Sequence, residues 1–269
     1  MNKKTAIVYL AAGISSRFSG KIKSLAEVGQ NRETLMEISM KQAIPFFSEI
    51  IIIIGDKTEP IKNYFRNEFR GVPIFYAKQI YDEKERDKPW GTVDALCSAK
   101  ELIDCDFVVC NGDDLYGTNA FNILAEHLKK NEEDATLGYR LSETLPENGA
   151  VNRGIFQIEN DYVNEIKEIK NIDKKNLNLF GLKEDELCSM NIFALKKESL
   201  NYLNEKLAEF KEKNRNDRKI ECYLSEEISK LINEEKMKMK MYNCGEKWLG
   251  ITNPGDEEIV KRELFLREL

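Results

Sequence analysis

The sequence holds a single histidine, His127, in 269 residues. A Ser-His-Asp triad, or a zinc site built on imidazoles, has almost nothing to work with. His127 lies in Ile123-Leu-Ala-Glu-His-Leu-Lys-Lys130, a predicted helix, and reads as a surface residue rather than a catalyst. The six cysteines (Cys97, Cys105, Cys110, Cys188, Cys222 and Cys244) form no C-x-x-C pair and no metal-like spacing. Several sit in apolar patterns, as reduced and mostly buried thiols of a cytoplasmic protein do. No stretch approaches the ~18–20 apolar residues of a membrane span, so no membrane partner is expected. Met1-Asn-Lys-Lys4 leads straight into an apolar strand without a signal-peptide cleavage region. Positive charge is not in excess: 41 Lys and Arg stand against 47 Asp and Glu, a net charge of −6. Nucleic acid demands a broad positive surface, so it is not expected as the main partner. Internal repeats and low-complexity linkers are lacking too, and the length suits one substantial core or two small ones. The expectation is one domain over 1–269, with a homo-oligomer left open.

Two phosphate motifs are also missing. A Walker A loop needs Gly five residues before its Gly-Lys, but Ser15 holds that place before Gly20-Lys21, and Ile22 stands where Ser or Thr should be. No G-x-G-x-x-G occurs, which excludes the usual dinucleotide fold.

What is present begins with Thr5 to Leu10, a short and nearly continuous apolar run that suits a buried parallel strand. Ala11, Ala12 and Gly13 then let the backbone approach a ligand closely. Ser15 and Ser16 offer hydroxyls and backbone donors, and Arg17, Lys21 and Lys23 supply three cations. Such a loop at the end of a first parallel strand is what a polyphosphate needs, although a solvated basic turn is the plain alternative.

Downstream, Glu33 to Phe47 has a helical apolar face, and Glu49 to Gly55 contains five consecutive isoleucines. A helix follows from Asp56 or Thr58 to about Arg70, then a strand over Val72 to Ala77. This alternation implies a parallel sheet with helices on both faces. Gln79 to Lys88 reads as a polar surface loop, and Lys88-Pro-Trp-Gly-Thr92 starts a helix through about Leu102. Asp106 to Asn111 is a fourth buried strand that delivers Gly112-Asp113-Asp114 to the sheet edge of the first loop. A helix over Asn119 to Lys130 and a strand near Ala135 to Arg140 come next. In the second half, Arg153 to Glu159 and Tyr162 to Ile169 pair across an Asn160-Asp161 turn, and Lys170 to Glu186 is a loop. Leu187 to Leu195 is a strand, Lys197 to Lys213 and Tyr223 to Glu234 are helices, Lys236 to Tyr242 is a strand, and Pro254 opens a final helix. Mg²⁺ is commonly held by one or two carboxylates with phosphates and water, which suits Asp113-Asp114, although an aspartate there could simply cap the next helix.

Leu10-Ala-Ala-Gly-Ile-Ser-Ser-Arg17, followed by a nearby Lys, resembles the signature loop of nucleotidyltransferases that make NDP-sugars and CDP-alcohols, L-A-A-G-x-G-[ST]-R and then Lys. The resemblance implies an α/β, three-layer nucleotidyltransferase fold, GT-A-like and Rossmann-like, with a mostly parallel mixed sheet. It divides the chain into a nucleotide-binding half, 1–140, and an acceptor-binding half, 141–269. It implies that Arg17 and Lys23 are catalytic, with Lys21 as the competitor of Lys23. Leu10, Ala11, Ala12, Gly13, Ser15 and Ser16 would bind the nucleotide. Lys88-Pro-Trp-Gly-Thr-Val-Asp-Ala95 resembles the family's P-x-G-T-A-x-A-L segment, which reads the base, so Trp90, Gly91 and Thr92 join them; Trp90 either stacks or packs. The family's Gly-Asp after the fourth strand binds Mg²⁺, which assigns Asp113, with Asp114 beside it, to the metal. Glu147-Asn-Gly-Ala-Val-Asn-Arg-Gly154, Glu168 and Ser189-Met-Asn191 resemble acceptor-contacting segments, giving Gly154, Glu168 and Asn191.

The resemblance has departures. Ser15 replaces the family's second Gly, and Ile169-Lys170 replaces its Lys-Pro. Above all, Trp248-Leu-Gly-Ile-Thr-Asn-Pro254 carries Gly250 where W-x-D-I-x-T-P has its second metal-binding Asp; either Asp114 or Asp256 completes the site, or Asp113 and the phosphates hold the metal, or activity is low or lost. The implied reaction is transfer of NMP from an NTP to a phosphorylated acceptor, a sugar 1-phosphate first, with release of pyrophosphate. Three alternatives stay beside it: a CTP-dependent enzyme for a phosphorylated alcohol or amino-acid derivative, a catalytically silent nucleotide-binding module, and a glycosyltransferase.

Overall fold

The computed structural model describes residues 3–13, 22–147, 149–243, 245–253 and 255–267. The strands are β1 (Thr5–Leu10), β2 (Glu49–Ile54), β3 (Glu68–Phe69), β4 (Val72–Lys78), β5 (Asp106–Asn111), β6 (Asp114–Leu115), β7 (Asp134–Leu137), β8 (Tyr139–Arg140), β9 (Val151–Glu159), β10 (Tyr162–Ile172), β11 (Leu187–Ser189), β12 (Phe193–Leu195), β13 (Met239–Tyr242) and β14 (Leu249–Gly250). The helices are α1 (Leu35–Ala43), α2 (Pro60–Phe65), α3 (Thr92–Ser98), α4 (Thr118–Lys130), α5 (Leu141–Thr144), α6 (Lys197–Lys213), α7 (Leu224–Asn233) and α8 (Asp256–Arg267). None of the described helices is long and apolar enough to cross a membrane.

Twelve strands form one sheet in the order β3-β4-β2-β1-β5-β12-β7-β13-β10-β9-β11-β8. The isoleucine run is β2, paired in parallel with β1 on one side and β4 on the other and wholly buried. A strand covered on both faces has no polar side to show, which is why its sequence does not alternate. Ile7, Tyr9, Ile50 and Ile52 face one apolar cluster with Met36 and Met40 of α1 and Leu124 of α4. Ala6, Val8, Ile51 and Ile53 face the other, with Leu96 of α3, Leu203 of α6 and Ile228 of α7. Neighbouring residues of one strand thus enter two cores, and the molecule has three layers. Thr34 starts α1 with a capping box: its hydroxyl accepts from the Glu37 N–H, and the Glu37 carboxylate accepts from the Thr34 N–H.

Parallel pairing governs β4-β2-β1-β5. The second half is largely antiparallel, with β13 beside β7 as a parallel pair, so the sheet is mixed. The Asn160-Asp161 turn is as expected, with φ of 51° and 66° suited to a two-residue hairpin. Several boundaries differ from the sequence pattern: α3 ends at Ser98, short of Leu102, the stretch Ala135 to Arg140 is split into β7 and β8, and β13 begins at Met239. α2 ends at Phe65, because Arg66 turns to φ 58° and the chain enters β3. The stretch Leu187 to Leu195 is two short strands, broken where Asn191 adopts φ 60°. β10 runs on to Ile172, past the expected start of the loop. Pro254, expected to open the last helix, lies outside the described residues, and α8 begins at Asp256.

His127 is not a surface residue: its Nδ1 lies 3.0 Å from the Tyr242 hydroxyl and its Nε2 2.8 Å from the Glu133 carbonyl. Burial lowers its pKa, so it sits neutral in α4 as a packing residue. Nearby, Asp134 accepts from the Lys196 N–H at 2.7 Å and the Ser199 hydroxyl at 2.9 Å. Burial pushes its carboxyl up to about 7. The unfolded group titrates near ~3.9. The folded protein therefore holds the proton over a window in which the unfolded chain has lost it, and this group's contribution to stability falls as pH rises from about 4 to 7. Denaturation midpoints of Asp134→Asn should change less between pH 5 and pH 7.5 than those of the unsubstituted protein. An equal change in both would remove Asp134 from that dependence.

Candidate active site

The C-terminal ends of β1 and β5 lie side by side. The Gly112 N–H bonds the Leu10 carbonyl at 2.9 Å, and the Ala11 N–H bonds the Ile53 carbonyl at 2.9 Å. The packing there is close: a Cβ at Gly112 would lie 2.7 Å from Met36 Cε and 3.0 Å from Ala11 Cβ. Lys23 arrives from a one-turn helix, Lys23–Leu25. Its Nζ lies 3.9 Å from Asp113 Oδ2 and 3.4 Å from the Thr252 carbonyl. Leu10, Ala11, Gly13, Lys23 and Asp113 line one cleft. On the other side of this loop, Ala12, Gly55, Gln79 and Pro89 line a second cavity. Ser15, Ser16, Arg17 and Lys21 lie outside the described residues.

Asp114 opens β6, which pairs antiparallel with β14 so that Asp114 faces Gly250. The Asn111 amide donates to its Oδ2 at 2.8 Å, and the Tyr116 hydroxyl lies 3.2 Å away. Burial and the neighbouring Asp113 charge push the Asp114 carboxyl up to about 7. Asp113 is raised as well by desolvation, opposed by the Lys23 charge. Two adjacent carboxyls whose ionisation is suppressed fit a site completed by a divalent cation. Gly250 explains itself by contact: a Cβ would stand 2.2 Å from Trp248 Cζ2 and 2.3 Å from Asp114 Oδ1. The Asp114 carboxylate thus fills the space that a side chain at 250 would claim.

Among the expected acceptor residues, Gly154 pairs with Glu168 across β9 and β10 and with Ser189 on β11. Its missing Cβ would lie 3.4 Å from Glu168 Oε2. Burial raises the Glu168 carboxyl, and Glu226 adds to it. Asn191 donates through its Nδ2 to Asn111 Oδ1 at 2.6 Å. Asn111 therefore bridges Asn191 and Asp114, a link the sequence pattern missed because Asn111 reads as the last residue of a strand.

Gly91 adopts φ 101°, and a Cβ there would lie 2.6 Å from the Cys222 carbonyl oxygen and 2.7 Å from its nitrogen. Gly91→Ala should cost at least about 2 kcal/mol, from backbone strain plus the clash. A melting point within a degree of the original would contradict this. The Thr92 hydroxyl accepts from the Leu224 N–H at 2.8 Å, so it caps α7 and not its own helix. The Arg86 guanidinium lies 3.4 Å from the centroid of the Trp90 ring, and Phe210 meets that ring edge-on. The packing alternative for Trp90 is therefore the one with visible partners. The supposed surface loop from Gln79 to Lys88 is anchored at both ends, for Gln79 and Arg86 are buried. Arg86 donates to the Lys88, Asp217 and Ile220 carbonyls. Gln79 was missed because it opens a polar run. The available signal was its place directly after a buried strand, at the sheet edge that also holds Ala12.

Among the described residues, one group of metal-type ligands lies elsewhere: Glu49, Asp104 and Cys105. Lys4 pairs with both of its carboxylates, 3.0 Å from Glu49 and 2.7 Å from Asp104.

A family model for nucleotidyl transferases matches residues 10–256. Among curated proteins, a UTP–glucose-1-phosphate uridylyltransferase of Haloferax volcanii is 30% identical over 167 residues, 60% of this chain and 63% of that protein. A D-glycero-α-D-manno-heptose 1-phosphate guanylyltransferase of Campylobacter jejuni is 30% identical over 151 residues, 54% of this chain and 62% of that protein. The matches span less than two thirds of either relative's length. Among solved structures, a UDP-glucose pyrophosphorylase of Acinetobacter baumannii superposes with a TM-score of 0.68 at 15% identity, over 99% of this chain and 94% of that one. The inositol-1-phosphate CTP transferase of T. maritima gives 0.65 at 14% identity, over 98% and 97%. These superpositions identify the three-layer mixed sheet as the fold of such enzymes.

Proposed function

The chain belongs to the nucleotidyl transferase family, and from that premise we propose that it transfers NMP from an NTP to a sugar 1-phosphate and releases pyrophosphate. The observation that carries this reading is the meeting of Lys23 and Asp113, 3.9 Å apart, beside a loop of small residues at the ends of two parallel strands. A triphosphate needs a cation and close backbone, and both are there. An acceptor phosphate oxygen attacks the α-phosphorus in line. The bond from that phosphorus to the bridging oxygen of the β-phosphate breaks, and pyrophosphate leaves. The nucleophile is already an anion, so no general base is needed, and catalysis is alignment and charge neutralisation.

Lys23, with Arg17, holds the phosphates. Leu10, Ala11, Ala12 and Gly13 pass under the nucleotide, with Ser15 and Ser16 following, and Gly91 and Thr92 shape the base side. Gly154, Glu168 and Asn191 bind the acceptor. Asp113 and Asp114 would hold Mg²⁺, which supplies charge neutralisation along the triphosphate. The described cysteines are free thiols, which suits work in the reducing cytoplasm.

Pyrophosphate release with Mg²⁺, five nucleoside triphosphates and a panel of phosphorylated acceptors tests the reading. Release should require one NTP together with a sugar 1-phosphate, and should stop when the metal is chelated. Release only with a phosphorylated alcohol or amino acid would replace the acceptor assigned here. Nucleotide binding without release from any acceptor would favour a silent module.

A further inference from the structure

We propose that Asn111 is a positioning residue of the metal site: its amide fixes which oxygen of Asp114 faces Mg²⁺. The inference rests on the metal role given above to Asp113 and Asp114, and adds the residue that aims one of them.

Asn111 is the last residue of β5, beside Leu10 of β1. Alternation along the strand puts it on the face of Phe107 and Val109, at the end of their apolar layer. A polar side chain there needs polar partners. Its Nδ2 donates to Asp114 Oδ2 at 2.8 Å, and its Oδ1 accepts from Asn191 Nδ2 at 2.6 Å. An amide can be placed two ways round, and its partners decide between them. In the ionised form that binds a metal, a carboxylate only receives, so the Asn111 NH₂ must face Asp114. The Asn111 oxygen then faces Asn191, which turns its own NH₂ toward it. One carboxylate thus sets the direction of both amides.

Asp114 does not aim itself. It is buried, but the last torsion of an aspartate is broad and roughly two-fold, so its oxygens exchange unless a partner holds one. Tyr116 is the other candidate, with its hydroxyl 3.2 Å from the same Oδ2. That hydroxyl has a single proton, and the Met190 carbonyl takes it at the shorter distance of 2.8 Å. The hydroxyl in turn accepts from the Asn111 N–H at 3.1 Å. The Asn111 amide is therefore the donor that holds Oδ2. Oδ1 is left on the Gly250 side, 2.3 Å from where a Cβ at 250 would stand. It occupies the space that the aspartate of the family pattern would use, and it is the oxygen offered to Mg²⁺. A leucine at 111 would fill a similar volume without the donor, and the carboxylate could then turn between its two orientations.

The test is Mn²⁺ binding to the whole chain, followed by the electron paramagnetic resonance of the free ion, which needs neither nucleotide nor acceptor. Mn²⁺ stands in for Mg²⁺ because both suit oxygen ligands. Asp113→Asn should abolish the binding. Binding that survives Asp113→Asn, or no binding by the unsubstituted protein, would overturn the metal site and this proposal with it. Asn111→Leu should weaken Mn²⁺ binding about 10–100-fold, the usual cost of losing the partner that orients a metal ligand. Asn111→Ala removes the amide without adding an apolar group; it should lose as much, and it covers the case of a leucine variant that does not fold. Melting temperatures are measured in parallel, and affinities refer to the folded protein. A merely structural role would lower the melting temperature and leave the Mn²⁺ affinity of the folded protein unchanged. Affinity within about threefold of the original in the folded variants, with the Asp113→Asn loss intact, would overturn the positioning role and leave the metal site standing.

Discussion

Lys23→Ala is expected to lower kcat/KM for pyrophosphate release by about 10²–10³, some 3–4 kcal/mol of transition-state stabilisation. The nucleophile needs no base, so the burden falls on cations placed where negative charge gathers on the phosphates. Lys23, 3.9 Å from Asp113 and 3.4 Å from the Thr252 carbonyl, is the cation proposed for that place. Its side chain is not part of either sheet core, so the melting temperature should move little. The substitution also removes the charge that opposes the upward shift of Asp113, which should weaken the response to Mg²⁺. Lys23→Arg keeps the charge on a wider group and should recover part of the loss. Turnover of Lys23→Ala within threefold of the original would pass the role to another cation, Lys21 first.

Gly250→Asp is expected to harm the protein, although it restores the aspartate of the family pattern. The new Cβ would enter the Trp248 ring, 2.2 Å from Cζ2, and lie 2.3 Å from Asp114 Oδ1. Overpacking of this kind costs about 1–3 kcal/mol, and a second buried carboxylate against Asp114 adds to it. Activity should fall at least about tenfold and the melting temperature with it. Gly250→Asp combined with Asp114→Gly should be better tolerated than Gly250→Asp alone, because the two carboxylates claim one space. A single Gly250→Asp variant with higher activity and unchanged melting temperature would show that Asp114 does not serve in place of the missing residue.

The parts of the fold that were legible are those where one physical requirement acts alone. Five isoleucines in a row have only a doubly covered strand to occupy, and Asn160-Asp161 between two alternating runs can only turn. The joining of Leu10 to Gly112 followed from parallel order, since alternating strands and helices bring strand ends to one edge. What escaped depended on partners distant in sequence. His127 looked exposed beside Lys129 and Lys130, but Tyr242 and the Glu133 carbonyl take its two nitrogens in the interior. Leu187 to Leu195 read as one strand because apolar residues dominate it, while the structure breaks it at Asn191, which takes φ 60° and donates to Asn111. Gln79 was hidden in a charged run, and its meaning comes from Gly91 and Asp94, residues 12 and 15 positions further on. Gly250 read as a loss, whereas the structure places Asp114 in the space it leaves.

The most direct measurement is the fate of an α-³²P label, carried on the NTP that binds most tightly, when enzyme, Mg²⁺ and a sugar 1-phosphate are mixed. Nucleotidyl transfer places the label in a new NDP-linked sugar and leaves the released pyrophosphate unlabelled. Label recovered only as nucleoside mono- or diphosphate, with no sugar-linked product, would contradict the transfer at its central step.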